Sequence, residues 1–226
     1  MAIDTTVESL GTEGDLSIDT DRIYLTGHSN GCIVSFAVAA IYSETIAAVA
    51  CFAGAVVMPF PEDYSPVPFW LVHGVEDDDI KYDGVIMVEL PVIGSLGIFS
   101  QDLTKNYLGA KNGCTGEEVT DLVDNCKVVG KVTKLTNCTN NAPVEFVALD
   151  GVGHSPYNVG ILGETDVDTT SLAWNFIRSR SNGPSGMIEI EEEVKEDEEC
   201  PEESASAEKL FSIALALPVF LAGLVW

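Results

Sequence analysis

One stretch constrains the fold more than any other: Arg22-Ile23-Tyr24-Leu25-Thr26-Gly27-His28-Ser29-Asn30-Gly31-Cys32. Ile23 to Thr26 are β-branched, aromatic or apolar, with Asp19 and Asp21 as turn residues before them, so the segment predicts a strand. Gly-His-Ser-Asn-Gly follows, and Ile33 to Ile41 then runs on without a breaker as a buried helix. Strand, Gly-x-Ser-x-Gly and helix make a nucleophile elbow, which lifts a serine hydroxyl above a sheet. Gly27 and Gly31 are expected to leave room where a Cβ would collide with the neighbouring strand and helix. The bland alternative is a plain strand-to-helix turn that happens to hold a serine.

The chain has 226 residues, enough for one domain with a sizeable core. Its net charge of −25, from 36 acidic and 11 basic residues, argues against nucleic acid as a partner, because no basic stripe is available to neutralise phosphates. No metal-ligand spacing is present, so no metal and no cofactor is expected.

The remaining elements alternate between strand and helix. Ala47 to Phe52 and Phe69 to Gly74 read as buried strands, separated by a proline-rich loop from Met58 to Pro68. Val75 to Gly97 reads as irregular, Ile98 to Leu108 as a helix, and Lys127 to Leu135 as a strand or hairpin arm. Val144 to Leu149 is a further apolar strand, and Thr169 to Arg180 a closing amphipathic helix. This pattern predicts an α/β fold with a mostly parallel sheet flanked by helices, whose site lies beyond the carboxyl ends of the strands.

A serine nucleophile needs a base, and the chain offers three histidines. His28 abuts Ser29, so its ring should point away from the hydroxyl. His73 lies inside a strand and reads as a buried structural histidine. His154 sits in a glycine-rich loop after the last strand, free to reach Ser29. The order serine, acid, histidine is that of α/β-hydrolases, and the loop Val75-Glu76-Asp77-Asp78-Asp79 supplies the acid.

Four runs then resemble the polyhydroxybutyrate depolymerase and feruloyl esterase-like family of α/β-hydrolases. They are Asp19 to Gly31, His73 to Gly84, Asn112-Gly113-Cys114 with a later Cys138, and Gly151-Val152-Gly153-His154-Ser155. The resemblance covers roughly Ile18 to Ser179. It implies secreted serine esterases of the carbohydrate-esterase type, with Ser29 as nucleophile, His154 as base and Asp77 as the triad acid. It implies the Asn30 N–H as oxyanion donor and a Cys114–Cys138 disulfide. His28, Tyr82 and Tyr157 are expected at the substrate pocket. The family usually has Trp-Pro after His-Ser where this chain has Pro156-Tyr157, so one wall of the acyl pocket should differ. The fold also usually places several strands before the nucleophile strand. Only 28 residues precede Ser29, so the chain is expected to be the C-terminal part of the fold, with Arg22 to Thr26 as an exposed edge and no visible second oxyanion donor.

Cys32 and Cys51 lie in apolar elements and read as buried free thiols, while Cys126 competes for either of the other partners. Clustered cysteines favour an oxidising compartment. The domain should end at Gly183. Residues 184–209 form an acidic linker expected to be disordered. Leu210 to Trp226 carries no charge and has the length of a GPI signal or membrane anchor, which implies a cell-surface or extracellular location. The expected activity is ester hydrolysis on a polyester or on a phenolic or acyl-carbohydrate ester, the substrate being polymeric or derived from cell walls. The alternatives are a non-catalytic, membrane-tethered relic and a serine peptidase of the same fold.

Overall fold

A computed structural model of the protein describes residues 18–90, 94–155, 157 and 167–183. These lie in the first of two units into which the chain divides, Met1–Glu193. Residues 1–16, the acidic linker and the apolar tail 210–226 lie outside the described residues. Among the described residues no helix is long and apolar enough to cross a membrane.

The first strand, β1 (Ile23–His28), runs into helix α1 (Asn30–Ile41), and β2 (Ile46–Phe52) and β3 (Phe69–Gly74) follow. A small hairpin, β4 (Val85–Leu90) and β5 (Gly94–Ile98), precedes helix α2 (Gln101–Lys111). Strands β6 (Gly116–Asp124), β7 (Lys127–Thr136) and β8 (Val144–Leu149) complete the sheet, and helix α3 (Thr169–Arg178) closes the order. The main sheet runs β1-β2-β3-β8-β7-β6. Its first four strands are mutually parallel, and β7 and β6 pair antiparallel. With helices packed on both faces, this is the mixed, mostly parallel sheet of an α/β-hydrolase-like fold.

The period of two along each strand builds two cores. Val49, Cys51, Phe69, Leu71, Val144 and Phe146 face Phe36 and Ala39 of α1 and Leu108 of α2. Ala48, Ala50, Trp70, Val72, Val147 and Leu149 face Ala173, Phe176 and Ile177 of α3. Every residue of β3 is buried, as befits a strand covered on both faces.

Three local readings shift. The segment read as irregular from Val75 to Gly97 contains the hairpin β4–β5. Helix α2 starts at Gln101 because the Ser100 hydroxyl accepts from the Leu103 N–H at 3.1 Å, a side-chain cap that fixes the boundary. Strand β6 carries Glu117, Glu118, Asp121 and Asp124 and is mostly exposed, so it lacks an apolar face that would mark it in the sequence. It forms through backbone pairing with β7 across a two-residue turn, Asn125 and Cys126, both at positive φ as a type I′ hairpin requires.

Cys32 and Cys51 are not free thiols. Both point into the core between α1 and β2, their Cα atoms stand 5.0 Å apart, and they form a disulfide. An apolar setting describes buried thiols and a buried disulfide equally, so only the pairing separates them. Cys114 and Cys138 form another disulfide among the described residues, so neither pairs with Cys126. The neighbouring Asn112 is fully buried, and its side-chain amide donates to the Val67 and Ala142 carbonyls at 2.7 and 2.8 Å.

Candidate active site

The β1–α1 junction holds Ser29 at φ 55°, ψ −122°, a conformation an L-residue rarely adopts. Three hydrogen bonds hold it there: the Ser29 N–H donates to the Phe52 carbonyl at 2.9 Å, and the Cys32 and Ile33 N–H groups donate to the Ser29 carbonyl at 3.0 and 3.2 Å. The two glycines of the motif are not equivalent. A Cβ on Gly27 would lie 2.2 Å from the Gly31 carbonyl carbon, whereas a Cβ on Gly31 meets nothing within 4 Å. The expectation that both relieve a collision is therefore corrected. The turn folds the backbone of residue 31 onto residue 27, so the crowding is one-sided.

His154 lies in the loop after β8, at the carboxyl ends of the parallel strands. Its Nε2 is 2.9 Å from the Ser29 Oγ and its Nδ1 is 2.7 Å from the Asp77 Oδ2. The carboxylate neighbour assigns the proton to Nδ1, which leaves Nε2 to accept from the serine hydroxyl. Asp77 is buried, and its Oδ1 accepts from the Asp79 and Ile80 N–H groups at 2.9 and 2.8 Å. Its other oxygen, Oδ2, faces His154. Asp78 and Asp79 are exposed, so of the three adjacent aspartates only Asp77 meets the imidazole.

The acid and histidine loops are clamped together. Glu76 N–H donates to the Val152 carbonyl at 3.1 Å, and Val152 N–H donates to the Glu76 carboxylate at 3.0 Å. A Cβ at Gly74 would lie 2.1 Å from the Val152 carbonyl oxygen, so only glycine lets the loops approach this closely. This clamp has no sequence signature, because Glu76 is one of four consecutive acids.

The Asn30 N–H opens helix α1, where a backbone donor has no intrahelical acceptor. The His28 ring buries an Nε2 that has no hydrogen-bond partner among the described residues. It packs 5.0 Å from the His154 ring and 6.3 Å from Tyr157. Burial, reinforced by the nearby His154, pushes the His28 imidazole below its ordinary range. With Phe52, Tyr157, Trp174 and Ile177, His28 lines an apolar cavity of about 380 Å³ between β1, β2 and α3. Tyr157 is fully buried, and its hydroxyl also accepts from the Gly74 N–H at 2.9 Å. Tyr82 lies apart from that cavity, against His73 and Phe146, and burial pushes its hydroxyl up to about 12. His73 is buried in β3, as its place in an apolar strand implies, yet it also reaches the Asp77 carboxylate.

The arrangement is a hydroxyl, an imidazole and a carboxylate in hydrogen-bonded series, beside a free backbone donor. It is able to move a proton from Ser29 to His154 while Asp77 supports the resulting imidazolium.

No protein-family model matches the chain. It is 27% identical over 174 residues to a probable feruloyl esterase C of Aspergillus terreus, an alignment covering 77% of this chain and 55% of that protein. It is 26% identical over the same shares to a probable feruloyl esterase C of Aspergillus niger. It is 25% identical, again over 77% of this chain and 55% of the relative, to feruloyl esterase C of Emericella nidulans. The chain thus spans about half the length of the curated relatives it matches. A solved structure, acetyl xylan esterase from Aspergillus awamori, superposes with a TM-score of 0.48 at 14% identity, covering 78% of this chain and 66% of that one.

Proposed function

We propose that the protein is a serine carboxylic-ester hydrolase acting on phenolic or acyl esters of carbohydrate. The carrying observation is the continuous hydrogen-bond series from Ser29 through His154 to Asp77. Its similarity to proteins named feruloyl esterase C supports an ester rather than a peptide substrate, and favours a phenolic acyl group over a hydroxyalkanoate.

In this reading the Ser29 Oγ attacks the ester carbonyl as His154 Nε2 takes its proton. The Asn30 N–H stabilises the oxyanion of the tetrahedral intermediate. Collapse expels the alcohol, protonated by His154, and leaves the acyl group on Ser29. Water, deprotonated by His154, attacks the acyl carbon, and Ser29 recovers its proton as the acid departs. Asp77 orients the imidazole and stays ionised. Loss of one such donor typically costs on the order of 10²–10³ in rate, which sets the scale of what the Asn30 N–H contributes. The Cys32–Cys51 and Cys114–Cys138 disulfides support an oxidising, extracellular setting.

The test is labelling with a fluorophosphonate, with Ser29→Ala as control, followed by turnover of methyl ferulate, p-nitrophenyl acetate and a hydroxybutyrate oligomer. Labelling that needs Ser29, with methyl ferulate cleaved fastest, supports the proposal. Labelling no greater than in Ser29→Ala refutes the serine mechanism and leaves a non-catalytic chain.

A further inference from the structure

The mechanism above makes no use of His73, although it is buried in a central strand and touches a triad member. Its Nε2 is 2.7 Å from the Ile80 carbonyl oxygen and 3.2 Å from the Asp77 Oδ2. Both neighbours are acceptors, so Nε2 carries the proton and shares it between them. The same Asp77 oxygen receives the His154 Nδ1–H at 2.7 Å. The other oxygen is held by the Asp79 and Ile80 N–H groups. His73 therefore closes a ring: strand β3 holds the Ile80 carbonyl, Ile80 holds one carboxylate oxygen, and His73 itself holds the other.

We infer that His73 is a positioning residue for the triad, fixing through its Nε2–H the Asp77 oxygen that receives His154. This rests on the proposed esterase reading of the same site. The physical need is clear from where Asp77 sits. Its loop lies outside the sheet, and two backbone donors on one oxygen leave the carboxylate free to swing about that contact. His73 is 0% exposed in a strand paired on both sides, which makes it the most rigid reference within reach. A histidine suits the place because it donates at the needed distance without adding charge. The titratable groups that face it are Asp77 and His154 from the two loops and Tyr82 at 6.1 Å between ring centroids, while Gly54 beyond β2 offers only a backbone carbonyl. Burial holds the His73 imidazole below its ordinary range, which keeps it neutral beside the pair.

Side-chain geometry supplies the test. The amide nitrogen of glutamine sits as many bonds from Cα as the histidine Nε2, and that of asparagine as many as Nδ1. His73→Gln restores the donor, His73→Asn places it one bond short, and His73→Phe removes it while keeping the ring. With p-nitrophenyl acetate as probe, His73→Phe and His73→Asn should lower kcat by about tenfold to a hundredfold at unchanged KM, while His73→Gln stays within about threefold of wild type. If His73→Phe does not fold, the glutamine–asparagine pair carries the comparison. The far-downfield proton resonance of the His154 Nδ1–H···Asp77 bond, read by NMR without substrate, gives a second measurement that a role in packing alone would not move. It should persist in His73→Gln and vanish or shift upfield in His73→Asn. Equal kcat in folded Gln and Asn variants overturns the inference, as does a resonance unchanged in both or absent from wild type. If wild type fails to turn over any ester, the esterase reading fails by itself, and the resonance alone decides the role of His73.

Discussion

The two glycines of Gly27-His28-Ser29-Asn30-Gly31 should respond in opposite directions to the same added methyl. In Gly27→Ala the new Cβ starts 2.2 Å from the Gly31 carbonyl carbon, 2.4 Å from its oxygen and 2.6 Å from the Cys32 nitrogen. All three are backbone atoms of the elbow, so no side chain can yield. Ordinary contact begins at 3.4 Å, so the turn must open by more than 1 Å. Overpacking of this kind costs about 1–3 kcal/mol, and a displacement of about 1 Å at a nucleophile costs about a hundredfold in rate. In Gly31→Ala the new Cβ meets nothing within 4 Å, and residue 31 already lies in helix α1. Alanine should there stabilise by up to about 1 kcal/mol through the smaller entropy lost on folding. For a domain of this size each kcal/mol moves Tm by about 2–4 °C. Paired thermal melts and fluorophosphonate labelling rates read both effects. Gly27→Ala should melt lower and label about a hundredfold more slowly; Gly31→Ala should melt at or above wild type and label normally. Equal losses in both variants would refute the one-sided crowding of the elbow.

The Cys32–Cys51 bond closes a loop with a sequence separation of 19, so loop-entropy reasoning assigns it about 3 kcal/mol. Cys32→Ala/Cys51→Ala should lower the midpoint of denaturant unfolding accordingly, and an unchanged midpoint would contradict the pairing. Asn112→Leu strips the donors from the Val67 and Ala142 carbonyls and leaves the Tyr64 hydroxyl without its 2.8 Å acceptor, so it should destabilise by about 2–5 kcal/mol in the same measurement. A loss below 1 kcal/mol would mean that water replaces the amide, about one net hydrogen bond being the limit. Stability should also fall as pH drops below 6.5. His28 and His73 both sit below that ordinary value when folded, so the unfolded chain takes up protons that the folded chain refuses. Their contribution is complete above pH 6.5 and drains below it. Tm measured from pH 7.5 to 5 should drop less in His73→Gln than in wild type, and parallel curves would exclude a part for His73.

Much of this site was legible without coordinates. Ile23 to Thr26, Phe69 to Gly74 and Val144 to Leu149 are short apolar runs bounded by turn residues, and each became a strand. The proposed trio was read from chemistry and order: one serine in an elbow, one histidine in a loop after the last strand, one acidic loop between. Such features are local, and a local pattern of polarity and breakers is what a sequence displays. The register that selects Asp77 from its neighbours came from family resemblance, and the structure gives the physical reason: Asp79 and Ile80 turn their N–H groups back onto residue 77, which buries it and leaves residues 78 and 79 in solvent.

What the chain alone left open depends on which distant atoms meet. Two cysteines in apolar segments read as thiols until α1 and β2 bring them together. Strand β6 carries charges on a sheet edge and exists only because β7 offers it a partner. His73 looks like core from its neighbours in sequence, and its contact with Asp77 appears only when the acid loop folds back over the strand end. Glu76 reaches the histidine loop 76 residues away. Hydrophobic period and turn chemistry are summed over a few adjacent residues, so the sequence determined the apolar elements and the chain order of the proposed serine, acid and histidine. Disulfides, buried hydrogen bonds and close backbone approaches act over a few ångströms between segments far apart in the chain, and only the tertiary structure decided those.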